Sequence, residues 1–235
     1  MFVDLPSRQK PGLRWATPLL VAILWAAYLW VSTRSGSTQR MLVQDWGALT
    51  GGAGLADTGL SLWTRARWPT LFTALFLHAD WAHLIGNLVF LLIFGLPAER
   101  AMGPWRLLAL FLLGGALANL AAVMMIDAPE RLIIGASGSV AAIMGAYVAL
   151  FPRAKLGIVV PLGLFLEFIR APALVLIGIW GALQVVFAYI GPAFGAVAWS
   201  AHVAGFLAGV AFAFVARKGI RRHLNRSRGY GGPSL

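Results

Sequence analysis

Six apolar stretches, each about fifteen to twenty-two residues long and each ended by glycine, proline or charge, restrict the folding of this chain more than any other feature. They run approximately from Trp15 to Val31, Trp81 to Leu96, Trp105 to Ile126, Ser137 to Phe151, Pro172 to Tyr189 and Trp199 to Val215. A hydrocarbon core roughly 30 Å thick takes about 20 residues of helix, and lipid offers backbone amides no partner, so such stretches fold as spanning helices. The expected fold class is all-α: a polytopic membrane protein whose six-helix domain covers 15–216. A cytoplasmic segment, 1–14, precedes it, and a basic cytoplasmic tail, 217–235, follows. A composition that is 60% hydrophobic and 11% charged excludes an ordinary soluble domain.

A net charge of +11 could indicate phosphate-backbone binding, so the placement of the cations decides. Assigning alternate connections to opposite sides puts fourteen of the nineteen Lys and Arg on the side of both termini. That bias makes both termini cytoplasmic and the tail residues Arg217, Lys218, Arg221, Arg222, Arg226 and Arg228 an anchor at anionic lipid; no nucleic-acid partner is expected. Arg8, Lys10 and Arg14 before the first stretch imitate a secretory signal, but the stretch is long and has no clear small-residue cleavage pattern, so it reads as a span. With no organelle-type targeting segment, the expected location is a bacterial plasma membrane. The chain has no cysteine, which excludes disulfides and thiolate catalysis.

The connection from Ser32 to Asp80, with Gly51, Gly52 and Gly54, is long and apolar enough to pack on the bundle or dip into the interface. Lys155 to Arg170, broken by Pro161, reads as a cytoplasmic-side loop with a short interfacial piece. No internal repeat stands out, which argues against a transporter of inverted halves.

Polar side chains within spans are costly, so the few present are functional candidates: His83, Asn87, Ser137 and His202. All lie near the outer ends of even-numbered spans. Ser137 opens the fourth span, where a helix N-terminus offers unpaired N–H groups and positive potential to an oxyanion. Only about 15 residues separate it from Pro152, roughly 22 Å of helix, so it should sit below the membrane surface. The irregular approach from Leu132 to Ala136 then has to be buried by protein or line a watery cavity. Ser137 could instead be a simple N-cap, and His202 a core histidine bonded to a carbonyl.

Two small-residue stripes favour a contact: Ala201, Gly205, Gly209 and Ala213 on the sixth span, and Gly138, Ala142, Gly145 and Ala149 on the fourth. Packing them together sets Ser137 and His202 at one level as a nucleophile and base without a nearby carboxylate, hence a dyad. His83 and Asn87, four apart, share a face and both donate towards one developing charge; His78 lies just before them. Asn119 and Gln184 read as helix-bridging residues. A metalloprotease would need an acidic base, which His78-x4-His83 lacks.

The run from Thr73 to Asn87, containing His78, His83 and Asn87, followed by Gly135-Ala-Ser137-Gly138 and Ala201-His202-Val-Ala-Gly-Phe-Leu-Ala-Gly209, closely resembles the rhomboid protease family. Glu99-Arg100 with Gly103, Phe151 to Lys155 and Pro172 to Gln184 extend the similarity to roughly residues 65 to 215. The resemblance implies a rhomboid six-helix core and a serine endopeptidase that cleaves transmembrane protein substrates by acyl-enzyme chemistry, without cofactor or metal. It makes Ser137 the nucleophile and His202 the base, with His83, Asn87 and the Ser137 N–H forming the oxyanion hole and His78 in support. The connection with Gly191, Pro192 and Gly195 looks like the family's mobile cap loop. One position departs from the pattern: some members carry an aromatic residue four after the serine, packed on the imidazole, where this chain has Ala141. The non-enzymatic alternative is a rhomboid-like binding or trafficking protein.

Overall fold

Every one of the six apolar stretches is helical in a computed structural model that describes residues 14–50, 68–126, 131–162, 165–190 and 199–228. The spans are α1 (Ala16–Ser32), α4 (Trp81–Met102), α5 (Pro104–Met125), α6 (Ser137–Leu150), α7 (Ala173–Ile190) and α8 (Trp199–Arg228). The described residues of the first connection include α2 (Gly36–Trp46) and the short α3 (Thr70–Thr73), which a 3-10 turn, Ala74–Phe76, follows. Among the described residues, Trp81–Met102, Pro104–Met125 and Trp199–Asn225 are long and apolar enough to cross a membrane; Ala16–Ser32, Ser137–Leu150 and Ala173–Leu183 are shorter apolar helices. The architecture is a helical membrane bundle, with two small antiparallel ladders added.

Tryptophans mark both rims of the bundle. Trp15 and Trp105 meet edge-on at 5.0 Å at one end, while Trp30 stacks on Trp46 at 5.7 Å with the Arg34 guanidinium over Trp30 at the other. This is the aromatic pattern of side chains held at two water interfaces. It also ties α2 back to α1, so the described part of the first connection packs on the bundle as expected. Gly51, Gly52 and Gly54 lie outside the described residues.

Helix α6 is the axis of the molecule, with a nearly continuous buried run from Gly138 to Tyr147. Its most extensive neighbour is α8. A Cβ added at Gly209 would fall on the Ala142 carbonyl, one at Gly205 on the Gly138 carbonyl, and one at Gly145 on the Phe206 carbonyl. The two stripes therefore close into a seam of backbone on backbone. Ala149 is the exception: it is exposed and takes no part in the seam.

On the other side of α6, Ser139 donates from Oγ to the Phe111 carbonyl at 2.7 Å. Phe111 lies in a π-helical turn, Leu110–Gly114, and its carbonyl accepts from the Gly115 N–H as well as from Ser139. A second π turn, Leu91–Gly95, interrupts α4.

Glu99, 2% exposed near the end of α4, solves a problem at the start of α1. The N-cap residue Trp15 has no capping side chain, and the carboxylate accepts from the backbone N–H of Ala16 at 2.9 Å and of Thr17 at 2.8 Å. Removing the carboxylate leaves two buried donors unpaired, which costs about 1–3 kcal/mol each. Glu99→Ala is accordingly expected to lower the thermal midpoint of the purified protein markedly, and Glu99→Gln to lower it less; an unchanged midpoint in Glu99→Ala would refute this role.

The segment expected to be a loop is a β-hairpin. Strand β3 (Lys155–Leu162) pairs antiparallel with β4 (Phe165–Pro172), in register from Lys155↔Pro172 to Leu162↔Phe165. Ile158, Val159 and Val160 suit extended backbone, and Pro161 is tolerated because each strand of a two-stranded sheet is an edge. The pairing also explains how backbone polar groups there are satisfied without helix.

Candidate active site

The site is assembled where three chain segments meet at the N-terminal end of α6. Strands β1 (Ala48–Leu49) and β2 (Leu132–Ile133) pair antiparallel, the Thr50 N–H donates to the Arg131 carbonyl at 2.8 Å, and the Arg131 N–H donates to Thr50 Oγ1 at 3.1 Å. The Gly135 N–H donates to the Ala74 carbonyl at 2.9 Å. The irregular approach to Ser137 is thus held by protein, one of the two solutions its depth permits.

Gly135 is a glycine for two reasons. Its φ is +115°, in the region L side chains avoid, and a Cβ there would stand 2.7 Å from His83 Cε1. The turn delivers Ser137 as the first residue of α6, with Ala136 as the N-cap and no capping side chain. The hydroxyl is free for another partner: Ser137 Oγ lies 2.7 Å from His202 Nε2. This contact displaces the capping alternative for Ser137; the carbonyl-bonded alternative for His202 finds no acceptor among the described residues, where its buried Nδ1 has no hydrogen-bond partner.

Opposite Ser137, Asp80 caps α4, accepting from the His83 N–H at 2.8 Å, and so fixes the first turn that carries His83. His83 and Asn87 both face Gly135, and Asn87 Nδ2 is buried with no acceptor. A buried amide without a partner is costly unless an acceptor arrives from outside. His78 is buried and packs edge-on against the His83 ring at 5.1 Å. Burial pushes the His78 imidazole down to about 3 from its ordinary 6.5, with His83 acting the same way and the Phe76 backbone opposing. As pH falls below about 6.5, an unfolded chain takes up a proton that folded His78 refuses. The fold should therefore lose stability between roughly pH 6 and pH 4, by on the order of 1 kcal/mol per pH unit. His78→Gln should flatten that part of the thermal-midpoint profile; an equal slope in both proteins would exclude His78 as its source.

The structure brings Ser137 to His202, and His83 and Asn87 to the turn before Ser137, with His78 behind His83. Asn119 bridges as expected, donating from Nδ2 to the Leu71 carbonyl at 2.8 Å. The Gln184 side chain and the connection with Gly191, Pro192 and Gly195 lie outside the described residues. The sequence gives no sign of a further neighbour, Trp180, whose ring is 5.1 Å from that of His202; an aromatic residue in an apolar span carries no local signal of such a contact.

A family model described as the rhomboid domain matches residues 65–219. The chain is 32% identical over 156 residues to "Rhomboid-like protein 11, chloroplastic" of Arabidopsis thaliana, covering 64% of this chain and 53% of that one. It is 37% identical over 127 residues to "RHOMBOID-like protein 12, mitochondrial" of the same plant, covering 47% and 35%. Over 78 residues it is 41% identical to "Rhomboid-related protein 1" of Caenorhabditis elegans, covering 32% and 20%. The matched stretches span about half or less of these curated relatives.

Proposed function

The chain belongs to the rhomboid family, and from that premise we propose that it is an intramembrane serine protease that hydrolyses peptide bonds in or near the transmembrane segments of membrane-protein substrates. The observation that carries this reading is the 2.7 Å approach of Ser137 Oγ to His202 Nε2 across the α6–α8 seam. That distance lets the imidazole take the hydroxyl proton as Oγ attacks a scissile carbonyl, then return it to the leaving amine. Water, activated by the same imidazole, releases the acyl group.

The oxyanion is held by the Ser137 N–H, which has no intrahelical acceptor in the first turn, together with Asn87 Nδ2 and the His83 ring. Among the described residues no acceptor competes for Asn87 Nδ2. We further assign the cation-rich side, and with it both termini, to the cytoplasmic face of the membrane, on the charge partition. The domain limits 15–216 and the basic tail 217–235 follow the same partition; within the described residues α8 runs on unbroken into that tail as far as Arg228.

The test is covalent labelling of the purified full chain by a small fluorophosphonate. Labelling that requires both Ser137 and His202 supports the protease. Labelling indifferent to Ser137 refutes it and leaves a rhomboid-like binding or trafficking protein as the better account.

A further inference from the structure

Among the described residues, His202 has one hydrogen bond, through Nε2, and its buried Nδ1 has no hydrogen-bond partner. A ring held at one nitrogen can still rotate about the bond to its helix, so another contact has to set its plane. Helix α6 does not supply it: Ala141, one turn beyond Ser137, is fully buried and offers only a methyl group.

Two aromatic rings lie close. Trp199 is 6.3 Å away at 74°, but it sits three residues earlier on α8, is 38% exposed, and moves with the helix that carries His202. Farther from the ring and more exposed, it is the weaker brace. Trp180 comes from α7, is 8% exposed, and meets His202 at 5.1 Å and 60°, the edge-to-face geometry favoured by ring quadrupoles. The Trp180 ring also meets Phe90 of α4 at 6.4 Å and 66°. The imidazole is therefore braced through a ring that bridges two other helices.

We propose that Trp180 is the positioning residue for His202: braced by Phe90, its ring holds the imidazole plane so that Nε2 stays on Ser137 Oγ without a carboxylate at Nδ1. This rests on the protease reading above. It assigns to α7 a part in the chemistry in addition to its part in the wall of the bundle. Orientation of a base is a large lever, because misplacement of about 1 Å costs on the order of 10²-fold in rate.

Trp180→Leu keeps apolar bulk and removes the ring; Trp180→Phe keeps a ring. Both are compared with wild type in detergent for fluorophosphonate labelling at Ser137, for kcat and KM on a fluorogenic transmembrane peptide, and for thermal midpoint. The expected result is that Trp180→Leu slows labelling and kcat together by roughly tenfold or more with KM changed less than about twofold, while Trp180→Phe recovers most of the loss. The proposal is overturned if Trp180→Leu labels at the wild-type rate, if its loss appears only in KM, or if cleavage accelerates, which would mark Trp180 as an obstruction to substrate. It is equally overturned if Trp180→Phe is no better than leucine and both losses follow a lowered midpoint. Failure of the wild type to label at Ser137 rejects the protease reading and this proposal with it; normal wild-type labelling with an unaffected Trp180→Leu rejects only the role of Trp180.

Discussion

Ser137→Ala is expected to reduce cleavage of a model transmembrane substrate by a factor on the order of 10³ to 10⁶, and His202→Ala by a similar factor. The two residues share one proton transfer, so the double variant should be no worse than either single one. Asn87→Ala removes one donor to the oxyanion and should cost less, on the order of 10² to 10³ in kcat. Ser137→Ala should retain its thermal midpoint within a few degrees, because one hydroxyl is removed, whereas the variants lacking the His202 ring also lose its contacts with Trp180 and Trp199, so their activity is compared on the folded fraction. Turnover by purified Ser137→Ala at the wild-type rate would end the mechanism outright.

The second large effect is structural. Gly209 faces the Ala142 carbonyl so closely that any side chain must push α8 away from α6. Gly209→Val is expected to cost about 3 kcal/mol or more, at the upper end of overpacking penalties, because what resists is backbone and not a flexible side chain. Activity should fall even in molecules that remain folded, since the same displacement separates Ser137 from His202. The matched control is Gly178→Ala on α7, where an added Cβ meets nothing within 4 Å. There a helix-interior glycine is replaced by a better helix former, a gain of up to about 1 kcal/mol. Equal midpoints and labelling rates in Gly209→Val and Gly178→Ala would show that the seam does not hold the site together.

What could be read in the sequence was whatever has a short period or a local alphabet. The spans were legible because hydrocarbon thickness converts directly into residue count, and the seam because glycine and alanine recur every three or four positions on α6 and α8. The site residues were legible because a polar group in an apolar span has few structural excuses. Ala149 shows where periodicity runs out: it keeps the stripe's spacing but lies beyond the end of the contact. The hairpin is not legible, because Pro161 interrupts an apolar run, and a run too broken for a span reads as a loop with a short interfacial piece; the pairing of Lys155 with Pro172, seventeen positions away, gives it structure. Glu99 reaches Ala16 and Thr17 over more than eighty residues, and no local pattern reports that distance. The π turns in α4 and α5, and the ring of Trp180 beside His202, likewise arise from packing between elements.

Glycine is the smallest residue there is, so the seam at Gly138, Gly145, Gly205 and Gly209 stands at a floor. Every single-residue change open to these positions enlarges them: at Gly145, Gly205 and Gly209 the added atom meets backbone across the α6–α8 seam, and at Gly138 it meets Ala118 of α5. Assembly of the bundle and competence for chemistry are therefore subject to one and the same filter, and a lineage under selection for either keeps both. Lipid-facing positions of the same helices, such as Val203 and Leu207, answer only to the solvent around them and are free to drift.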